Sequence, residues 1–340
     1  FGANLNATTQ WKLGRTSMGV EFRNEGVRSN VLGKPMKEPQ DVPFEKEGQY
    51  LKSDNRSNIS YFLEHNVLLR RFTLSVGVLA NYNSALNEGI HFYPGIDASY
   101  RIGDNFRLYG SWNRALRMPT FTDLYYEGKT NKGNPDLKPE ESEAFEVGLK
   151  YNTYFLRAHI AGFYRKGKNM IDWVKEKPED IWESRNLTKV DNLGFETNLS
   201  LLPRELGNKR FFIRKIELGY AFIHQDKDSE GYISNYALDY LKHKFTAQLS
   251  HSIWKGFSAT WYVRWQDRAG SYTKYENLKP AYEEPYAPYC LVDMKVNWEY
   301  QRLNLYAELN NLLNSTYYDL GNIPQPGIWF KAGLRYSFKY

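Results

Sequence analysis

The 340-residue chain is 16% aromatic, with 27 tyrosines, and 25% charged; no run approaches the ~18 apolar residues that a spanning helix needs, which excludes a helical membrane protein. Its formal charge of +6, from 45 Lys and Arg against 39 Asp and Glu, is scattered rather than striped, so no nucleic-acid partner is expected. The single cysteine, Cys290, excludes an internal disulfide and a thiolate metal cluster.

In chain order the dominant signal is a period of two. The opening "FGANLNATTQ" has no basic-then-apolar signal pattern and no initiator Met, so a mature or truncated piece is expected. Weak alternation runs over 3–11, 16–28 and 57–69, then clear alternation over 72–80, 94–102, 106–112 and 145–151. Weaker segments follow at 155–165, 193–201 and 213–223, and clear ones at 244–253, 257–266, 290–298, 303–310 and 329–340. In 257–266, Phe257, Ala259, Trp261, Val263 and Trp265 alternate with Ser258, Thr260, Tyr262, Arg264 and Gln266. This gives about 15 strands, many near the ~9–11 residues of a tilted membrane-crossing strand. A soluble sandwich also alternates. Strands this long, numerous and aromatic fit better a transmembrane antiparallel β-barrel with lipid outside and a polar lumen.

The connections alternate in length. Short ones are expected at 12–14, 69–71, 102–105, 152–154, 253–256 and 300–302, with a somewhat longer one near 202–211. Long ones are expected at 29–53, 83–90, 114–142, 166–190, 225–241, 267–288 and 311–328. Periplasmic turns on one rim and extracellular loops on the other produce this rhythm. An odd strand number, where complete bacterial barrels have an even one, leads to the expectation that 1–340 is a single domain, the C-terminal part of a larger barrel.

The long connections hold the candidate ligand contacts. In 114–142, Pro119, Pro135 and Pro139 fix φ and remove backbone donors, which stiffens the loop. Arg117, Asp123, Tyr125 and Tyr126 are its candidates for facing the mouth, against a purely structural role. "PEES" can open a helical turn, but the period-two set Phe145, Val147, Leu149 and Tyr151 favours a strand. Other candidates are Trp182 and Arg185, with Trp173 nearby, then Tyr232 and Tyr236, then Tyr272, Tyr275, Tyr282 and Tyr286, and finally Tyr317 and Tyr318. Such aromatics offer contact area with a polar tip, and the same residues also suit an interfacial girdle. No phosphate loop, HExxH or paired-cysteine motif is present, so neither a metal nor another cofactor is expected. Asp226, Asp228 and Glu230 lack the full spacing of a Ca²⁺ loop and read as a solvated acidic loop.

Two blocks carry a family resemblance. "FRLYGSWNRALRMPTFTDLYY" with "GNPDLKPEESEAFEVGLKY", and "LNLYAELNNLLNSTYYDLGNIPQPGIWFKAGLRYSFKY", resemble the C-terminal barrel signature of TonB-dependent outer-membrane receptors. The matching positions are Trp112–Arg114, Arg117, Pro119, Leu124 to Tyr126, Gly133 to Pro135, Leu137, Pro139, Glu140, Ser142 and the strand from Glu146. The resemblance implies a 22-stranded barrel filled by an N-terminal plug. About 15 of those strands would lie here. It further implies that the plug and the TonB box, the contact with TonB, are absent from these residues. The implied function is uptake of a scarce nutrient, a metal chelate such as a ferric siderophore or a corrinoid such as cobalamin. Implied partners are outer-membrane lipid, the barrel assembly machinery and, for some such receptors, a surface lipoprotein. Phe338 and Tyr340 resemble the terminal aromatic signal for membrane insertion. The competing readings are a passive porin and, third, a barrel hydrolase built on His91, His224 or His243.

Overall fold

A computed structural model describes residues 1–86, 89–177, 179–207, 209–228, 231–234, 240–277, 279–320 and 323–338. Fifteen strands build its wall. They are β1 (Gly2–Trp11), β2 (Gly14–Ser29), β3 (Gln49–Leu68), β4 (Phe72–Asn83), β5 (Ile90–Ile102), β6 (Phe106–Arg117), β7 (Glu140–Asn152) and β8 (Leu156–Lys175). They continue as β9 (Trp182–Leu201), β10 (Ile213–Asp228), β11 (Leu241–Ser252), β12 (Phe257–Arg268), β13 (Tyr289–Tyr300), β14 (Leu303–Asn310) and β15 (Trp329–Tyr336). Each is antiparallel to the next in sequence, so the wall is an up-and-down meander. Among the described residues β1 is laddered only to β2, and β15 only to β14.

Register makes the alternation collective. Trp261 of β12 lies opposite Leu249 on one side and Met294 on the other, and Val263 lies between Ala247 and Val292. The same face carries Leu63 opposite Val78, Leu108 opposite Leu149, and Leu305 opposite Leu334. Its residues are exposed: Leu5, Leu63, Val147 and Leu334 show 72%, 51%, 59% and 70% of their surface. An apolar face of this extent is stable only against hydrocarbon, and the ladders satisfy the backbone groups that hydrocarbon cannot.

The opposite face is polar. Lys295 and Lys331 both bind Glu308, at 2.7 and 3.0 Å, tying β13, β14 and β15 together. Aromatic rings on this face lie over glycines of the adjoining strand: Phe62 over Gly19, Tyr109 over Gly148, Phe163 over Gly194 and Tyr306 over Gly333. A Cβ at those glycines would stand 2.4–2.6 Å from a ring atom, so these positions exclude any side chain while the rings keep their place. In the turn from β1 to β2, Gly14 has φ +136°, and a Cβ there would meet the Asn66 carbonyl oxygen at 2.0 Å.

The short connections fall where the sequence puts them, while the long ones are more structured than expected. β8 and β9 stay paired through Val174 opposite Glu183, so the connection expected at 166–190 narrows to 176–181. The reason is solvent. Beyond the apolar band Lys166, Lys168, Lys189 and Asp191 stand where outward apolar residues would, so the ladder continues after the alternation has gone. Connection 267–288 contains a hairpin, Ser271–Glu276 with Lys279–Pro285. In 114–142 a five-residue helix, α1 (Phe121–Tyr125), appears, and Glu140 begins β7 as a strand. The last strand ends at Tyr336; Phe338 follows it, 77% exposed, and Tyr340, Tyr236 and Glu230 lie outside the described residues.

Candidate ligand-binding mouth

The connection 118–139 is a strap laid along the rim. Pro119 and Thr120 start α1, where Thr120 Oγ1 accepts from the Asp123 amide at 3.1 Å and Asp123 Oδ2 accepts from the Thr120 amide at 2.9 Å. This reciprocal capping box satisfies donors that a short helix otherwise leaves open. The helix is fastened to β3. Tyr125 donates to Asp54 Oδ2 at 2.5 Å, Arg56 donates to the Pro119 carbonyl at 2.6 Å, and the Arg56 guanidinium stacks 5.0 Å over the Phe121 ring. Burial, then the Asp54 hydrogen bond, pushes the Tyr125 phenol up to about 12, so it remains a neutral donor at physiological pH.

The other end of the strap is fastened to β8 and β9. Arg117 grips Glu140 with both arms of its fork, and Glu140 Oε1 accepts from the Ile171 amide at 2.7 Å. Asn186 accepts from the Lys138 amide at 2.8 Å and donates to the carbonyls of Lys138 and Asn169 at 2.9 and 2.7 Å. The Trp182 amide donates to the Thr130 carbonyl at 2.8 Å, and Asn131–Lys132 pairs in parallel with Trp182 and Glu183.

The structure therefore brings Arg117, Asp123 and Tyr125 together, each engaged in the strap, with Arg117 Nη1 3.9 Å from Asp123 Oδ2. Tyr126 follows α1 and is exposed. Trp182 and Arg185 lie elsewhere, on β9 near the tip of the long hairpin. Lys175 stacks on Trp182 at 4.5 Å, and Arg185 pairs with Glu183 at 2.8 Å and stacks on Tyr232 at 4.9 Å. A third group joins connections 269–288 and 311–328. Tyr272, 7% exposed, lies between Tyr286 and Tyr318 with centroids at 5.3 and 5.0 Å, and Tyr317 packs on Tyr289 at 4.6 Å. Tyr275 and Tyr282 remain exposed on the hairpin, the latter beside Lys274, whose pairing with Glu284 at 2.6 Å raises its pKa. No described cavity collects all of these candidates.

A cavity of ≈ 500 Å³ does open beneath the strap on the polar face, and most of its lining was not among the sequence candidates. Arg23, Arg56, Asn81, Tyr93 and Arg117 line it, with Met118 at its strap side. The period-two rule places Arg23 and Asn81 on the polar face, but only the register of β2, β3 and β4 shows that they meet. A larger concavity of ≈ 700 Å³ lies elsewhere on the polar face and includes Lys150, His159, Arg264 and Asp293. There Tyr109 and His159 Nε2 share a hydrogen bond of 2.7 Å. Among the described residues no group of His, Cys, Asp or Glu is placed to hold a metal ion, and Asp226 is paired with Lys189 at 2.7 Å.

Residues 1–312 match the family model described as TonB dependent receptor-like, beta-barrel. A vitamin B12 transporter of Vibrio vulnificus is 26% identical over 225 residues, which cover 50% of this chain and 36% of the relative. The ferrienterobactin receptor of Escherichia coli is 22% identical over 297 residues, covering 79% of this chain and 38% of that protein. Among solved structures, a ferric enterobactin receptor of Pseudomonas aeruginosa in complex with enterobactin superposes with a TM-score of 0.75 at 19% identity, over 99% of this chain and 54% of that one. The chain thus spans about half of the solved receptors that it matches and little more than a third of these curated relatives. The described residues are wall and connections with no plug domain, and the family is one of outer-membrane transporters, not enzymes. With its antiparallel wall, apolar outer face and strapped rim, the chain belongs to the TonB-dependent receptor β-barrel family.

Proposed function

We propose that the protein containing this chain captures a scarce nutrient at the mouth formed by its long connections and moves it across the outer membrane with energy transmitted by TonB. The observation that carries this reading is the family match over 1–312, and the relatives named for vitamin B12 and for ferrienterobactin set the range of cargo, a corrinoid or a ferric siderophore. In this reading 1–340 is one domain, a portion of a barrel whose plug, TonB box and remaining strands are supplied by the rest of the polypeptide. Tyr275, Tyr282 and Tyr126 are exposed tyrosines of the connections that meet cargo first, while Tyr272, Tyr317 and Tyr318 set the shape of the mouth by packing. Outer-membrane lipid solvates the apolar face, and the assembly machinery reads the final strand with Phe338 and Tyr340.

The test is cargo binding to the full-length receptor, with connections 267–288 and 311–328 intact or shortened. Tight binding of a ferric siderophore or a corrinoid that is lost on shortening is the expected result. Unchanged affinity after shortening would remove those connections from the site, and ion conduction without any tight ligand would make the protein a porin.

A further inference from the structure

The outward face of the wall changes character along β8. Ile160, Gly162, Tyr164, Lys166 and Lys168 share that face by alternation. The register sets Lys166 opposite Glu143 and Asp191, and Lys168 opposite Glu141 and Lys189. Tyr164, 38% exposed, is the last ring of the column, with Phe145 and Leu193 beside it at 43% and 56%. A tyrosine at the top of an apolar band marks the headgroup level. Lys166 stands two residues further on, about 7 Å along the strand, which is within the depth of a headgroup layer.

Two lysines of this charged row are left over. Glu143 accepts from Trp112 Nε1 at 2.8 Å, Glu141 pairs with Arg114 at 3.4 Å, and Asp191 accepts from Tyr164 at 3.0 Å. Lys189 is held by Asp226 at 2.7 Å and lies 3.6 Å from Asp191. Lys166 and Lys168 are exposed, and neither has an ion-pair or hydrogen-bond partner among the described residues. Lys168 also faces a like charge, Lys189, directly across the ladder. Such a pair is destabilising, and an anion placed between its members reverses the sign. Three ammonium side chains thus stem from one small area of the outward face, while the flanking carboxylates are taken by other donors.

Below the lysines the wall has a gap. Gly162 lies in the apolar band between Val147 of β7 and Phe195 of β9, with Ile160 and Tyr164 next to it on its own strand. A Cβ there would find nothing nearer than the Gly194 carbonyl oxygen at 4.0 Å, so the missing side chain leaves an open depression. Its walls are apolar and exposed, and a hydrocarbon chain lying in it gains dispersion contacts on several sides. Gly162 and Lys166 are about 13 Å apart along one strand, so one molecule with a phosphate and an acyl chain reaches both.

We propose that this stretch of wall binds a net-anionic phosphorylated lipid of the outer leaflet, with a headgroup phosphate on Lys166 and Lys168 and an acyl chain in the depression at Gly162. This lipid differs from the bulk lipid covering the rest of the apolar face, because charge selects it and the depression fixes its place beside the long β8–β9 hairpin. The inference needs only the membrane-facing wall and is independent of the cargo.

The experiment is native mass spectrometry of the full-length receptor in detergent. The probes are a diphosphorylated, acylated glucosamine disaccharide, phosphatidylglycerol, zwitterionic phosphatidylethanolamine and inorganic phosphate. Wild type is expected to retain one equivalent of a net-anionic lipid about tenfold more tightly than phosphatidylethanolamine, and the tighter of the two anionic lipids identifies the headgroup. Combining Lys166→Gln with Lys168→Gln should weaken that binding about thirtyfold. The melting temperature without lipid should not change, since both lysines are exposed and unpaired. Gly162→Val fills the depression with a residue suited to a strand and should weaken the anionic lipid about tenfold. Unchanged affinity in the lysine variant would overturn the phosphate contact, and equal retention of phosphatidylethanolamine would overturn selection by charge. Unchanged affinity in Gly162→Val, or competition by inorganic phosphate at the lipid's own concentration, would leave a bare anion site and overturn the lipid. Failure of wild type to retain either anionic lipid would overturn the whole proposal.

Discussion

The wall and the rim of this molecule are stabilised by different solvents. On the wall, side chains such as Val147 and Leu334 are exposed by more than half, and only lipid makes that favourable. On the rim, the part of the β8–β9 hairpin beyond the apolar band folds as a water-soluble protein does. Val174, Leu187 and Val190 are 1%, 2% and 4% exposed and form a small core with Met170 and Tyr232 packed on it. Asp172 and Ser184 are buried beside them, with Asp172 accepting from Ser234. A single ladder crosses from one regime to the other, and the same apolar residue means solvent contact below and core above.

Substitutions can break this contrast. The largest effect belongs to the rim core: Leu187→Ala should destabilise the hairpin tip by about 2–5 kcal/mol. It should do so locally, read as faster hydrogen exchange of 170–190 with the protection of β12 and β13 unchanged. Uniform loss of protection would show that the hairpin has no core of its own. Next is the wall, where Val147→Lys should cost about 2–4 kcal/mol by denaturant titration in vesicles. A negligible cost would mean that Val147 does not face lipid.

The strap tests the rim more finely. Glu140→Gln removes the charge from the Arg117 fork and weakens the link to Ile171, a loss of about 1.5–3 kcal/mol for a charge-assisted contact. Protease cutting within 118–139 should accelerate while the wall stays intact. The smallest effect is at Tyr125. Its folded pKa is raised, so its contribution is fully present below the ordinary tyrosine range and is lost as pH rises through about 12. Tyr125→Phe should loosen the strap by about 1 kcal/mol and remove the phenol whose ionisation burial and Asp54 delay. A tyrosinate absorbance titration that is unshifted between the two proteins would contradict the Asp54 link.

The same division explains what could be read from sequence. The wall was legible because lipid on one face and a polar lumen on the other impose a strict period of two, as in 257–266. Above the band both faces meet water, so Lys166, Lys168 and Lys189 erase the pattern and the upper β8–β9 hairpin passes for a loop. Thr120 and Asp123 do spell a helix start, but in a five-residue helix between prolines the signal was too short to stand out. Arg117, Asp123, Tyr125 and Tyr126 stood out in sequence only as candidate ligand contacts; that Arg117 and Tyr125 tie the strap to Glu140 and Asp54 depends on contacts between segments that local pattern does not carry. The burial of Tyr272 and the meeting of Arg23, Asn81 and Tyr93 depend on register between distant segments, which local pattern does not carry.

The most direct measurement is a spin-label scan along 257–266 in the full-length receptor reconstituted in vesicles. Collision with lipid-soluble oxygen is expected at 257, 259, 261, 263 and 265, and with a water-soluble nickel chelate or with protein at 258, 260, 262, 264 and 266. Uniform accessibility along the segment would contradict a wall with lipid on one side and a polar lumen on the other.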